Sequence, residues 1–304
     1  MHFVIDNTFG IENYYSIVFS CDLYKSRIIT GIFYNLFLCL YLLSVVITLS
    51  KYNMIRHSIL PNISVDCVIF GFDFEKLNIL LVERKLIDEK TSIELINDLT
   101  LVGYHIFNDE NLDNAAARIL KDTTGLENIY LEQFHTFGDL NRVTNPNDQL
   151  WINSIGEEFN DRIITVGYFS LIDNTKVTLV NTNRNIDWYP VYQLNKLTLA
   201  FDHRRIINKA LEALRKKMRL EPIAFNLLPE KFTLTQLQKL YEEVMRIKLD
   251  KRNFRKKIAQ MPYVVPLIEK QKGVAHKPAQ LFKFSKKVYE KNKPGLIDSS
   301  INLP

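Results

Sequence analysis

The stretch 103-GYHIFNDENLDNAAARILKDTTGL-126 decides how the middle of this 304-residue chain is read. A turn comes first, and then apolar residues recur at helical spacing: Leu112, Ala115, Ala116 and Ile119 or Leu120,. Asn111 or Asp113 can supply the N-cap oxygen, and Gly125 suits the left-handed residue that ends a helix of about three turns.

Strands frame this helix. The segment 63-ISVDCVIFGF-72 is rich in β-branched and aromatic residues, and 77-LNILLVER-84 follows it after a charged turn,. An acidic linker over 88–94 leads into 99-LTLV-102. Beyond the helix, strands are predicted over 129–137 and 163–172, with a polar loop of Asn, Asp and Pro between them. The tetrapeptide 187-DWYP-190 reads as a turn. Residues 202–219 form a long basic helix with Ile206, Ala210, Leu211 and Leu214 turned inward,. Strands and helices in this order predict a mixed α/β sandwich.

Charge divides the chain. The net charge is +5, yet residues 231–290 hold 15 Lys/Arg against 5 Asp/Glu, so the remainder sums to −5. A basic module on a neutral-to-acidic body fits a polyanion-binding arm. Cys21, Cys39 and Cys67 lie far apart with no metal-type spacing, which excludes a disulfide scaffold or zinc finger and suits a reducing compartment,. Between Arg27 and Lys51 there are no charges. As a helix, residues 28–49 would span about 33 Å, enough for a bilayer core. Residues 1–53 are therefore either a membrane anchor or translation upstream of a start at Met54. A cytoplasmic body is expected, tethered at the inner membrane only if residues 28–49 are real.

Within the basic module, Thr233 and Gln236 have the spacing of a capping box, and Leu234, Leu237, Leu240, Tyr241 and Val244 form an inward stripe,. After a break at 246–249, Asp250 can cap a second helix, 250-DKRNFRKKIAQM-261, with Phe254, Ile258 and Met261 on one face. Strands over 264–270 and 280–284 follow, joined by a loop carrying Lys272, Gly273, His276 and Lys277. Helix, turn, basic helix and basic hairpin make a winged helix-turn-helix. Arg bonds guanine bidentately and Asn bonds adenine, so Arg252, Asn253 and Arg255 are the expected base readers. Lys251, Lys256, Lys257, Lys270, Lys272 and Lys277 are expected on phosphates. No aromatics interleave on the basic face to stack unpaired bases, which tells against single-strand binding and leaves an RNA-binding or ribosome-associated winged helix as the alternative to double-stranded DNA.

The stretches 64-SVDCVIFG-71, 80-LLVER-84, 103–126 and 199-LAFDH-203 together resemble a Nudix domain. With 227-LLPEKFTLTQL-237 and 249-LDKRNFRKK-257 they resemble more narrowly the Nudix-related transcriptional regulators, the NrtR type and its sugar-responsive relatives. The likeness covers about residues 60–290, across two domains and in order. The Nudix signature places its glycine at Tyr104, its first glutamate at Glu110 and its arginine at Arg118. Its three following carboxylates fall on Ile119, Asp122 and Thr123. Mg²⁺ needs several carboxylate oxygens on one helix face, and one aspartate with an isoleucine and a threonine is a poor set. The resemblance thus implies a degenerate box, no bound metal or cofactor, no enzyme activity, and a Glu110–Arg118 ion pair that is structural. The alternative is an active Mg²⁺-dependent hydrolase of nucleotide diphosphate derivatives that uses Glu94, Asp109, Glu110 and Asp122.

The family further implies a pocket for a small effector, either an ADP-ribose-like nucleotide or a sugar such as arabinose. Candidates to line it are Arg84, Phe134, Phe137, Asp139, Tyr168, Trp188, Asp202 and His203. A homodimer on double-stranded DNA is also implied. The expected organisation is an apolar extension (1–53), a Nudix-like sensing domain (60–220), a winged helix (226–290) and a tail (291–304).

Overall fold

The computed structural model describes residues 59–88, 90–154, 162–180, 185–273 and 277–292. The apolar segment 28–49, the start at Met54, His276 and the tail from residue 293 on lie outside the described residues. Among the described residues no helix is long and apolar enough to cross a membrane.

The spine of the body is β1 (Ile59–Phe72), buried on both faces from Val65 to Phe72 and apolar there apart from Asp66,. Along one edge it pairs in parallel with β6 (Ile164–Asp173), in register from Ile63↔Ile164 to Phe72↔Asp173. It also pairs antiparallel with β2 (Leu77–Ile87) near its C-terminal end and with β4 (Val102–Phe107) near its N-terminal end. β3 (Glu94–Thr100) and β7 (Ile186–Pro190) pair with β2, and β5 (Glu132–Phe137) pairs with β6. The result is one seven-stranded mixed sheet.

Alternation along β1 assigns the two faces. Val65, Cys67 and Ile69 pack beneath helix α1 (Leu112–Thr124) with Ala115, Ala116, Ile119 and Leu120. Val68, Phe70 and Phe72 pack on the other face with Ile206, Ile207, Ala210, Leu211 and Leu214 of helix α3 (His203–Leu220). The second core does not stop at the body. It continues through Phe225 and Leu227 into Leu237, Tyr241, Val244, Phe254 and Ile258 of the C-terminal module.

That module is helix α4 (Leu234–Met245), helix α5 (Lys251–Ala259), the hairpin β8 (Val264–Lys270)–β9 (Gln280–Phe284), and a closing helix α6 (Lys286–Asn292). Phe232 bridges Phe282 and adds a short third strand to the hairpin.

Several segments differ from the sequence reading, among them 187–190 and the loop before β6. Residues 187–190 belong to β7, because the strand-edge positions tolerate Pro190 at the strand's end,. The loop expected between β5 and β6 contains helix α2 (Pro146–Ser154). Pro146 takes its first position, where a missing N–H is harmless, and the Asn145 side chain accepts from the N–H of Asn147,.

Candidate functional site: a polar cleft and a basic helix

The Nudix-like segment folds with the expected caps: Asn111 accepts from the N–H of Asn114, and Gly125 is left-handed (φ 74°). The turn expected at its start is instead β4, which runs to Phe107. Glu110 is committed to this loop. Its carboxylate accepts from the Phe107 N–H (2.8 Å) and from the Arg118 guanidinium (2.5 and 2.9 Å). Arg118 also donates to the His105 carbonyl and stacks 3.8 Å above the Phe107 ring.

The next three signature positions diverge in environment as well as in type. Ile119 is 1% exposed in the core beneath α1, a burial that stabilises the fold by roughly 1.5–3 kcal/mol,. Asp122 is exposed, 3.9 Å from Arg118. Thr123 is half-buried. Glu94 is paired with Lys85 across the β2–β3 hairpin, which holds its carboxyl below the ordinary glutamate range, so it belongs to that hairpin and not to α1. This side-chain set does not fit a Mg²⁺ ion: the position that should carry a charge into the site carries a core isoleucine.

On the opposite face of the sheet lies a cleft of about 110 Å³. β1 contributes Ser64 and Asp66, β4 contributes Gly103, Tyr104 and His105, and α2 contributes Trp151 and Ile152. Arg142 and Val143 precede α2, and Phe201 and His203 begin α3. The polar members form a connected network. Asp66 Oδ2 accepts from Thr165 Oγ1 (2.8 Å), which in turn accepts from Ser64 Oγ. Arg142 donates through Nε and Nη2 to both oxygens of Asp202 (3.1 and 2.8 Å).

Behind the cleft, Arg84 is 1% exposed and held bidentately by Asp98 (2.7 and 2.5 Å), with Asp148 2.8 Å away. Its guanidinium lies 4.9 Å from the Phe201 ring and 5.6 Å from Trp151. Phe201 itself has φ 49°, a costly conformation for a bulky residue,. Asp148 holds it there by accepting its N–H (3.1 Å).

His203 is buried, and its tautomer follows from its partners. Nδ1 accepts from the Leu101 N–H (3.1 Å), so the neutral ring carries its proton on Nε2, 3.6 Å from Asp66 Oδ1,. Burial keeps the imidazole below its ordinary value against the opposing pull of Asp66 and Asp202.

Of the sequence-derived pocket candidates, only His203 lines this cleft. Arg84 and Asp202 support it through the ion pairs above. Phe137 and Tyr168 are each 1% exposed and belong to the two apolar cores, Tyr168 bonding Asp113 through its hydroxyl. Phe134 packs on the α3-side core and Trp188 on the α1-side core. Asp139 is at the surface, paired with Arg205. The four aromatic candidates lie outside the cleft because they are spent on packing in the two cores,. The sequence reading missed Asp66, Arg142, Asp148, Trp151 and Phe201. Asp66 had left a signal, a lone acid inside an apolar strand.

The second site is the basic module. The capping box of α4 is present in both directions, Thr233 with Gln236. Glu242 accepts from the Leu249 N–H (2.9 Å) and from Gln238, which also reaches the Leu249 carbonyl, fixing the turn between α4 and α5. Asp250 caps α5 through the Asn253 N–H (2.8 Å). Phe254 and Ile258 are buried, leaving Lys251, Arg252, Asn253, Arg255 and Lys256 exposed on the outer face and Lys257 half-buried. Lys270, Lys272 and Lys277 are exposed on the wing.

Comparison with known proteins agrees with both halves. A family model for the NUDIX domain matches residues 60–210, and one for the NrtR DNA-binding winged helix domain matches residues 224–284. The ADPR responsive transcriptional repressor NtrR of Acinetobacter baylyi is 30% identical over 239 residues, 78% of this chain and 88% of that protein. The crystal structure of Shewanella oneidensis NrtR superposes with a TM-score of 0.53 at 25% identity, covering 74% of this chain and 94% of that one. The same protein complexed with a 27mer DNA gives 0.52 at 25% identity, covering 73% and 93%. With a Nudix sensor fold joined to a DNA-binding winged helix, the chain belongs to the NrtR family of Nudix-related transcriptional regulators.

Proposed function

We propose that this chain is a non-hydrolytic, ligand-controlled repressor that acts as a homodimer on double-stranded DNA and responds to ADP-ribose or a related pentose-bearing metabolite. The observation that carries this reading is the contrast along one polypeptide. The Nudix helix keeps its caps and its Glu110–Arg118 anchor but buries Ile119 where a metal ligand would stand, while α5 exposes an unbroken cationic face. The curated relative's name supports ADP-ribose as the effector.

Exposure of Arg252, Asn253 and Arg255 on α5 supports their assignment to base edges, and that of the lysines of α5 and the wing supports theirs to phosphates,. Two-fold operators match a dimer, since two such helices read successive half-sites. The link between the sites is α3, about 27 Å long at its 18 residues,. It starts at His203 in the cleft and ends among Leu214, Arg215 and Met218 against the winged helix. An effector shifts DNA affinity only by binding one placement of α3 better than another.

Binding of the full chain to DNA upstream of its own and neighbouring genes, across a salt series with ADP-ribose or arabinose added, tests the proposal. Specific binding released by one of them is expected. A Mg²⁺-dependent pyrophosphatase activity lost on Asp122→Asn would overturn the non-hydrolytic part.

A further inference from the structure

We infer that the cleft between β1, β4, α2 and the start of α3 is a pentose subsite, in which Asp66 and His203 jointly select for a ring hydroxyl. This rests on the effector reading above and specifies which part of the effector enters.

Size is the first argument. Pockets for whole drug-sized ligands run to about 300–1,000 Å³. At about 110 Å³ the cleft takes only part of such a ligand, the hydroxyl-bearing edge of a sugar ring, with the remainder outside.

Hydrogen-bond capacity is the second. Asp66 Oδ2 is taken by Thr165, while no hydrogen bond among the described residues reaches Oδ1. His203 Nδ1 is taken by the Leu101 N–H, so Nε2–H is the free donor. These two atoms stand 3.6 Å apart, too far for a good bond to each other,. A hydroxyl is the group that satisfies both, accepting from Nε2–H and donating to Oδ1. A phosphate oxygen cannot, since it has no proton to give the carboxylate and is repelled by it. Both side chains are more than nine-tenths buried, so they are fixed in place and a ligand lacking the hydroxyl would leave both polar atoms unpaired,.

Close approach is the third. Gly103 sits opposite Asp66 in the β1–β4 ladder, and a Cβ there would lie 2.2 Å from Oδ1. The absence of a side chain at 103 is what lets the carboxylate lie over the strand and face the cavity. Trp151 and Phe201 supply apolar walls for the ring's C–H face.

The chemistry is shared by the terminal ribose of ADP-ribose and by a free pentose, and calorimetric titration of the full chain separates them. The probes are ADP-ribose, ADP, D-ribose and L-arabinose, against wild type, Asp66→Asn and His203→Gln. If the nucleotide is the source, wild type binds ADP-ribose about tenfold or more tighter than ADP. Asp66→Asn then removes that advantage. If a free sugar is the source, ribose or arabinose binds alone and weakens about tenfold or more in both variants.

Deoxy analogues of whichever ligand binds, titrated on the wild-type protein, test the hydroxyl without any substitution that could disturb folding. Loss of about tenfold is expected for one of them. Tight binding by wild type that neither variant nor deoxy analogue alters would overturn the subsite and leave the regulator reading intact. Failure of wild type to bind any of the four probes would overturn the effector reading, and the subsite with it.

Discussion

The Nε of Arg215, in the fourth turn of α3, donates to the main-chain carbonyl of Val244, 2.8 Å away in the last turn of α4. That carbonyl is one of the four a helix leaves unpaired at its C-terminus, so a residue of the linking helix completes the first helix of the helix-turn-helix. Arg246 and Arg219 crowd the same guanidinium, and burial with their repulsion lowers its proton affinity.

Arg215→Met should keep the packed stem and lose the bond. Ligand and DNA should each still bind within a fewfold of wild type, but the effect of one on the other should shrink. Coupling of this kind is worth about 1–3 kcal/mol, or 5- to 150-fold in affinity. Fluorescence anisotropy of operator DNA with and without saturating ligand measures it.

Stability should fall on mild acidification through His203. Its folded value is depressed by burial, so between that value and the unfolded imidazole value of about 6.5 the unfolded chain binds more protons,. The contribution is fully present above about pH 6.5 and is lost as pH drops below it. Melting temperatures at pH 7.5 and 5.5 should diverge more for wild type than for His203→Gln.

Replacing Arg84 by leucine should be severe. The arginine neutralises Asp98 and Asp148 in a site where all three are nearly inaccessible, and its loss strands two buried carboxylates. A cost of about 3–5 kcal/mol is expected from removing one partner of such a pair. Urea unfolding would register it as a lower midpoint.

Tyr241 predicts the opposite sign. Its hydroxyl is buried in the winged-helix core with no hydrogen-bond partner among the described residues, and burial raises its pKa. Tyr241→Phe should leave stability unchanged or raise it by up to about 1 kcal/mol.

The α5 face divides by type of contact. Arg252→Ala and Arg255→Ala should cost about 1–3 kcal/mol on the operator and relax its sequence preference. Lys256→Ala should weaken all sequences alike and reduce the slope of log affinity against log salt by about one. Titrations at four salt concentrations on operator and scrambled DNA distinguish the two patterns.

What the sequence disclosed depended on how local the cause was. The capping box at Thr233, the Asp250 cap, the Gly125 stop and the bounds of β8 and β9 all follow from residues a few positions apart, and they appear where expected. α2 was hidden because its Pro, Asn and Asp residues look like loop chemistry, and only Ile152 and Asp148 on it are buried. The cleft was harder still. Asp66, Arg142, Asp148 and His203 come from four segments, and only the parallel pairing of β1 with β6 and the return of α3 bring them together. The aromatic candidates on β5, β6 and β7 lie outside the cleft for the reverse reason, since nothing in a strand's own sequence says which layer its inner face meets.

The apolar core that runs without a break from Phe70 on the sheet, through α3, to Tyr241 and Phe254 has a thermodynamic consequence. Two modules that share one interior melt together, in a single cooperative transition. Whatever binds only the native cleft then stabilises the whole by RT ln(1 + [L]/Kd), the recognition helix included. Effector supply would thus set how long the regulator survives proteolysis in the cell, as well as whether it sits on DNA.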